Sequence, residues 1–170
     1  MGRWRPKGIP ASKYITAEGY KKLNDELQYL WKEKRPEITQ SVQEAAAQGD
    51  RSENAEYIYG KKQLREIDRR VRFLSKRLDD MTVVDRVPED QSKVFFGAWV
   101  ELENEDGDTA TYRLVGPDET DAKRHYISID APLARALLKK QVDDEVVVET
   151  PAGERCLFIC RIWYEQGERR

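Results

Sequence analysis

Cysteine and histidine are scarce in this chain, which excludes the commonest cross-links and metal sites. The two cysteines, Cys156 and Cys160, lie four residues apart in one predicted strand, about 13 Å apart at ~3.3 Å per residue. That distance is too long for a disulfide, whose Cα atoms lie roughly 4 to 7 Å apart. His125 is the only histidine. Without a cluster of cysteine and histidine, we do not expect a zinc site either.

Long apolar runs are also missing. No stretch approaches the ~18 to 20 consecutive apolar residues that a membrane-spanning helix needs. Residues 1–7 contain no apolar segment of the kind found in secretory signal peptides. We therefore expect a cytoplasmic protein that makes no contact with a membrane.

Charged residues make up 36% of the chain, and the two signs are unevenly distributed. Residues 1–82 contain 18 Lys or Arg and 13 Asp or Glu, a balance of +5. Residues 83–170 contain 12 and 19, a balance of −7, so the net charge of −2 hides the division. Such an asymmetry indicates two modules with different partners.

The first half of the chain has the periodicity of a long helix preceded by a basic arm, residues 1–13, which proline and glycine make flexible. The helix is predicted to begin near Ala17, with Thr16 as its cap. Apolar residues recur three and four positions apart, with a one-residue phase slip near Trp31. Pro36 removes one hydrogen bond and predicts a bend within one continuous helix. The apolar positions are Tyr20, Leu23, Leu27, Leu30, Trp31, Ile38, Val42 and Ala45.

A second helix follows a short linker, and its apolar residues keep the a and d spacing of a coiled coil. Gly49 is expected to end the first helix. The two helices should then form an antiparallel hairpin over residues 14–84, about 45 Å long. A zipper between two chains is the alternative, but the tight turn favours pairing within one chain, and a monomer is expected. The seam positions are Tyr57, Gly60, Leu64, Ile67, Val71, Leu74, Leu78 and Met81.

The hairpin tip, residues 49–57 with the sequence GDRSENAEY, concentrates three acids: Asp50, Glu53 and Glu56. One interpretation is helix capping, with Asp50 and Glu53 at capping-box spacing and Asp50 or Ser52 accepting from free N–H groups. Acids also belong at a helix N-terminus because the helix dipole favours negative charge there. The other interpretation is a group of metal-binding or catalytic carboxylates, and the spacing alone leaves both open.

The outer face of the second helix carries one uninterrupted row of cations, which we call the basic stripe. A solvated charged face is the ordinary interpretation of such a row. A row of a single sign also suits a phosphate backbone at close range, so contact with nucleic acid is an equal alternative. The stripe consists of Lys62, Arg65, Arg69, Arg72 and Lys76.

Beyond a linker at residues 85–92, which contains Pro88, the periodicity changes from heptads to alternation and turns. Residues 93–165 predict a small antiparallel sheet with one helix, an α+β module. Strands are predicted at 94–102, 109–115, 126–129, 145–150 and 155–164, and a helix capped by Asp130 at 132–140. No phosphate-binding loop or nucleophile motif occurs there, which favours a docking role. Residues 166–170 form a tail.

Three segments of the chain resemble the Gre family of bacterial transcript cleavage factors. The tip at 49–57 looks like the tip motif of that family, and residues 94–98 and 127–137 resemble the two signatures of its C-terminal domain. The resemblance covers nearly the whole chain. It implies a coiled-coil hairpin followed by a domain similar to FKBP folds, without their isomerase activity.

The resemblance also implies a function, which is to stimulate cleavage of backtracked RNA by bacterial RNA polymerase. The hairpin would enter the secondary channel, where Asp50 and Glu53 would help hold the second Mg²⁺ of the polymerase. The factor would have no cofactor or enzymatic activity of its own. The basic stripe would contact the 3′ segment of the backtracked RNA, and Ser128, Asp130 and Pro132 would grip the channel rim. Supporting roles at the tip are expected for Arg51, Ser52, Asn54, Glu56 and Tyr57.

Two alternatives to cleavage stimulation stay open on the sequence. A regulator could occupy the secondary channel without stimulating cleavage, although such a protein should lack the acid pair that Asp50 and Glu53 provide. A plain coiled-coil nucleic-acid binder should bind RNA tightly without polymerase and with steep salt dependence. The net negative charge disfavours that second alternative.

Overall fold

The computed structural model describes residues 10–49 and 53–165. These residues form two compact units: residues 18–81 are one, and residues 10–17 together with 82–165 are the other. The first is the helical hairpin and the second contains the sheet, so the α+β prediction is confirmed. Within the described part of the chain, no helix combines the length and apolar character that crossing a membrane requires.

The first arm of the hairpin is continuous but changes its winding midway. Helix α1 (Ala17–Tyr29) runs into a π-helical segment (Leu30–Lys34), which runs into α2 (Arg35–Ala47). The Arg35 N–H donates to the carbonyl of Leu30, five residues back. A π turn accommodates one extra residue, which explains the phase slip predicted near Trp31. Pro36, which cannot donate a backbone hydrogen bond, stands directly after this wide turn.

The second arm is helix α3 (Ala55–Asp80), and it buries the predicted seam. Gly60, Ile67, Leu74 and Leu78 are buried, and the seam residues between them are half-buried. The assignment of Trp31 to the seam of the first arm is wrong, because its side chain is 55% exposed whereas that of Leu30 is 8% exposed. The π turn shifts the register by one residue, so Leu30 takes the inward position.

The other unit is built on a five-stranded sheet with the order β5-β4-β3-β7-β6. Its pairs are antiparallel except β4 with β5, which run parallel. Helix α4 (Pro132–Leu137) begins at a proline as predicted but ends three residues earlier. The strands are β3 (Trp99–Asn104), β4 (Thr109–Val115), β5 (Tyr126–Ser128), β6 (Glu145–Thr150) and β7 (Gly153–Trp163).

One side of this sheet and α4 enclose the core of the unit. Val100, Leu102 and Leu114 from the strands meet Ala134 and Leu137 from the helix, all at most 2% exposed. The predicted first strand begins too early, since residues 94–98 form a loop that packs on this core. Their backbone forms scattered bonds in place of a strand ladder: the Phe95 N–H donates to the Tyr164 hydroxyl at 2.9 Å, and the Gly97 N–H donates to the Leu114 carbonyl of the sheet at 2.7 Å.

Two short strands that the sequence did not predict complete this unit. Strand β1 (Tyr14–Thr16) pairs in parallel with β2 (Thr82–Val84). Ile15 is fully buried, and the Glu119 carboxylate accepts from the backbone N–H of Thr16 at 3.1 Å and from its hydroxyl. The segment at 10–17 is therefore a packed part of the sheet unit.

Candidate functional site

The hairpin tip is shaped by one glycine and one asparagine. Helix α2 ends at Ala47, and Gly49 follows with a φ of 133°, a conformation that residues with a Cβ rarely adopt. Helix α3 is capped by Asn54, whose Oδ1 accepts from the Tyr57 N–H at 3.1 Å. The sequence left open a cap from Asp50 or Ser52, which lie outside the described residues; the N-cap position itself belongs to Asn54.

Asn54 also connects the two arms of the hairpin. Its Nδ2 donates to the carbonyl of Ala45 at 2.6 Å, near the end of α2. A carboxylate or hydroxyl cap could accept from α3, but only an amide offers an N–H₂ group to α2 as well. The sequence suggested Asn54 as a supporting residue. An asparagine directly before a helical apolar pattern is typical of an N-cap, so the cap could have been predicted. The bond from Asn54 to Ala45, nine residues earlier, could not be predicted from neighbouring residues.

Glu53 stands immediately before this cap and is exposed. Glu56 is exposed in the first turn of α3, where the helix dipole favours negative charge, and Tyr57 is half-buried at the seam. The other predicted tip residues, Asp50, Arg51 and Ser52, lie outside the described residues. Within the described part of the chain, no three Asp, Glu, His or Cys side chains are grouped closely enough to hold a metal ion. A cation at Glu53 would therefore need further ligands from elsewhere.

The five residues of the basic stripe are all exposed on α3. From Lys62 to Lys76 the stripe extends about 21 Å, at 1.5 Å per residue. Within residues 10–49 and 53–165, none of the five forms a salt bridge. Arg70, which lies beside the stripe, does form a salt bridge: it donates two hydrogen bonds, of 2.7 and 3.0 Å, to Glu26 of α1. The hydrogen bond from Arg70 keeps the pKa of Glu26 below its ordinary value.

The predicted docking residues lie together on the loop between β5 and α4. The Ser128 hydroxyl accepts from the Asp130 N–H at 3.0 Å, and Pro132 is exposed at the first position of α4. The prediction that Asp130 caps α4 is wrong, since the N-cap is Ala131 and no side chain bonds there. Asp130 Oδ2 instead accepts from the backbone N–H of Ser12 at 2.7 Å. The loop is therefore held against the segment that precedes β1.

The cysteines offer no reactive thiol. Both are free and lie in β7, as predicted. Cys156 Sγ donates to Glu145 Oε1 at 2.6 Å, and this hydrogen bond, with burial, raises the pKa of Cys156 to about 11. Burial and then the nearby Glu103 raise the pKa of Cys160 as well. Because thiolates are the reactive form, the raised pKa of each thiol disfavours a nucleophilic role at neutral pH.

Two parts of the chain match models of known protein families. Residues 13–83 match the N-terminal domain of transcription elongation factors, and residues 89–164 match the C-terminal domain of the GreA/GreB factors.

Full-length relatives match too. A transcription elongation factor GreB from Haemophilus influenzae is 61% identical over 155 residues, 91% of this chain and 98% of the relative. One from Yersinia pestis is 63% identical, covering 90% of each chain. The solved structure of GreA factor homolog 1 from Thermus thermophilus aligns at 25% identity and a TM-score of 0.39, over 88% of this chain and 97% of the other. The relationship to the transcription elongation factors is shown by the sequence matches and does not depend on that structural alignment.

Proposed function

This chain belongs to the GreA/GreB family of transcription elongation factors, and we propose that it stimulates RNA cleavage by bacterial RNA polymerase in backtracked complexes. The hairpin would enter the secondary channel of the polymerase as a monomer. The polymerase would supply the catalytic centre, and this chain would add groups to it without being an enzyme by itself. Because bacterial RNA polymerase acts in the cytoplasm, this chain would act there as well.

The exposed acid at the tip carries the mechanistic part of the proposal. Glu53 is joined to a residue that bonds both arms of the hairpin, because Asn54 caps α3 and holds Ala45 of α2. Its carboxylate therefore stands directly before a residue that is bonded to both arms. Asp50 would act beside it, on the evidence of the tip motif.

A single described carboxylate does not make a Mg²⁺ site, because this ion prefers an octahedral shell of oxygen ligands. Glu53 and Asp50 would therefore serve as additional ligands to an ion shared with carboxylates of the polymerase. That ion would supply charge stabilisation and an activated water. The residues of this chain would orient the ion and the water at the RNA phosphate.

The remaining surfaces have separate tasks in this proposal. The basic stripe would hold the phosphates of the RNA 3′ segment, since it carries five exposed cations, none of which forms a salt bridge within the described residues. The loop with Ser128, Asp130 and Pro132 would grip the rim of the channel. One oxygen of Asp130 is already used by Ser12, so the polymerase would bond the other one.

The test uses stalled, backtracked elongation complexes with 3′-labelled RNA and Mg²⁺. We expect Glu53→Gln and Asp50→Asn each to slow cleavage by at least about a hundredfold, because loss of a ligand to a catalytic metal removes several kcal/mol of charge stabilisation. Binding to the polymerase should be unchanged. Glu44→Gln is the matched control, because Glu44 is an exposed acid on α2 near the same tip.

Full cleavage by both tip variants would overturn the role assigned to the acids. Tight binding by the wild-type protein without any cleavage would favour the alternative, a regulator that occupies the channel and does not stimulate hydrolysis. The protein alone, without polymerase, should leave the RNA intact.

A further inference from the structure

The outer side of α3 presents two large aromatic rings to solvent. Tyr59 is 63% exposed and Phe73 is 49% exposed. Both stand in a helix whose apolar seam is already buried against the other arm, so neither is needed for packing in the hairpin. Single exposed aromatic residues are ordinary on protein surfaces, so the inference depends on what surrounds these two.

Both rings adjoin the basic stripe at helical spacing. Residues three or four apart in a helix are neighbours on its surface. Lys62 follows Tyr59 by three positions, while Phe73 has Arg69 four positions before it and Lys76 three positions after it. The rings therefore stand near the two ends of the stripe, about 21 Å apart along the helix.

The ring of Phe73 is held in place by a cation. The guanidinium of Arg70 lies 5.4 Å from the ring centroid while it is bonded to Glu26 of α1. The guanidinium therefore contacts both Glu26 and the ring, and these contacts restrict the positions that the ring can take. A fixed, exposed ring can stack on a flat partner with little loss of side-chain entropy.

Cations beside exposed rings match the chemistry of single-stranded nucleic acid. The phosphates are attracted to a basic groove or row, while unpaired bases stack on aromatic side chains. A duplex hides its bases and would use only the cations. The combination of both groups on one helix face thus favours an unpaired strand over a duplex.

We propose that Tyr59 and Phe73 stack on unpaired RNA bases while the basic stripe holds the phosphates of the same strand. The two rings would make binding depend on the presence of bases as well as on charge. This inference deepens the proposed function, because the strand would be the 3′ segment of the backtracked RNA. The binding itself can be tested without the polymerase.

The experiment measures binding of the full chain to fluorescein-labelled single strands of equal length at low salt. One probe is oligoadenylate, and the other is an abasic strand with the same phosphates. The wild-type protein should prefer oligoadenylate by at least about tenfold, since stacking contributes roughly fivefold or more per ring and two rings take part. Tyr59→Leu combined with Phe73→Leu should abolish the preference and leave the salt dependence unchanged, because the five cations remain.

Two further variants separate stacking from structural damage. Tyr59→Phe keeps an aromatic ring and should retain its share of the preference. Tyr29→Leu removes a comparably exposed aromatic, 50% accessible, from the other arm of the hairpin, and it should change nothing. Equal binding of both probes by the wild-type protein would overturn the proposal. So would a double variant that binds RNA normally and loses only its binding to RNA polymerase, since the rings would then contact protein.

These outcomes are independent of cleavage. A protein that shows base-dependent binding but no stimulation of the polymerase would retain this inference and contradict the proposed function. A protein that stimulates cleavage but binds abasic strands as well as oligoadenylate would support the proposed function and contradict this inference.

Discussion

Asn54 shows how much one side chain decides at the hairpin tip. It satisfies an N–H at the start of α3 and a carbonyl of α2 with a single amide. Free N–H groups at a helix start and free carbonyls at a helix end both need partners. Asn54 meets the first need and adds a second donor to the Ala45 carbonyl, which already accepts from the Gln48 N–H, beside the exposed acid Glu53.

We expect Asn54→Ala to lower the free energy of unfolding of the hairpin by about 1 to 2 kcal/mol, because a cap and a bond between the arms are lost together. Asn54→Asp should recover part of this loss, since a carboxylate still accepts from the Tyr57 N–H but cannot donate to Ala45. Urea unfolding followed by circular dichroism measures both variants. Equal stability of the two variants would contradict the contribution from the cap. An Asn54→Asp variant as stable as the wild-type protein would contradict a separate contribution from the bond to Ala45.

At the level of elements, the hairpin depends on a close approach of α2 and α3. Gly60 of α3 is buried beneath Val42 of α2, and a Cβ built on Gly60 would lie 2.5 Å from Val42 Cγ2. A β-branched side chain such as valine has little rotamer freedom in a helix, so it cannot move aside easily. The packing against Val42 therefore explains why the seam contains a glycine at position 60.

Gly60→Ala in α3 should therefore destabilise the hairpin by about 1 to 3 kcal/mol, the usual cost of overpacking. In an unobstructed helix the same change stabilises by about 1 kcal/mol. Adding Val42→Ala to Gly60→Ala should remove the clash, so the double variant should be more stable than Val42→Ala alone. Thermal or urea unfolding of the wild-type protein and the three variants measures this double-mutant cycle. Additive effects of the two changes would show that the residues do not meet.

At the level of the whole molecule, the sheet unit is assembled from both sides of the hairpin sequence. Strand β1 comes before the hairpin and β2 after it, and they pair with each other. Tyr14 lies so close to Gly116 that a Cβ on that glycine would be 2.1 Å from the Tyr14 carbonyl oxygen. Ser12 and Thr16 add hydrogen bonds to Asp130 and Glu119.

A sheet unit without β1 should therefore be less stable than one that contains it. We would compare residues 82–165 with a chain in which residues 10–17 are joined to 82–165 by about eight Gly and Ser residues, long enough to return along β1. Burying Ile15 contributes about 1.5 to 3 kcal/mol, so the joined chain should melt roughly 10 °C higher. Ile15→Ser in the joined chain is the control and should remove most of the gain. Identical melting temperatures would show that β1 is dispensable.

The sequence determined the features whose causes are local. Heptad spacing predicted the seam from Gly60 to Leu78, and the phase slip near Trp31 corresponds to the π segment. Alternation and turn residues predicted 109–115 and 145–150 as strands, which match β4 and β6. These features depend on neighbours within one or two turns or strands, so composition and spacing carry enough information.

Tertiary structure decided the features whose partners are distant in sequence. Thr82–Val84 consists of three β-branched residues, which favour a strand, but nothing local identifies its partner β1, almost seventy residues away. Asp130 has the spacing of a helix cap and instead bonds Ser12, 118 residues earlier. The free energy of such pairs depends on which surfaces the rest of the fold brings together, and local propensity does not contain that information.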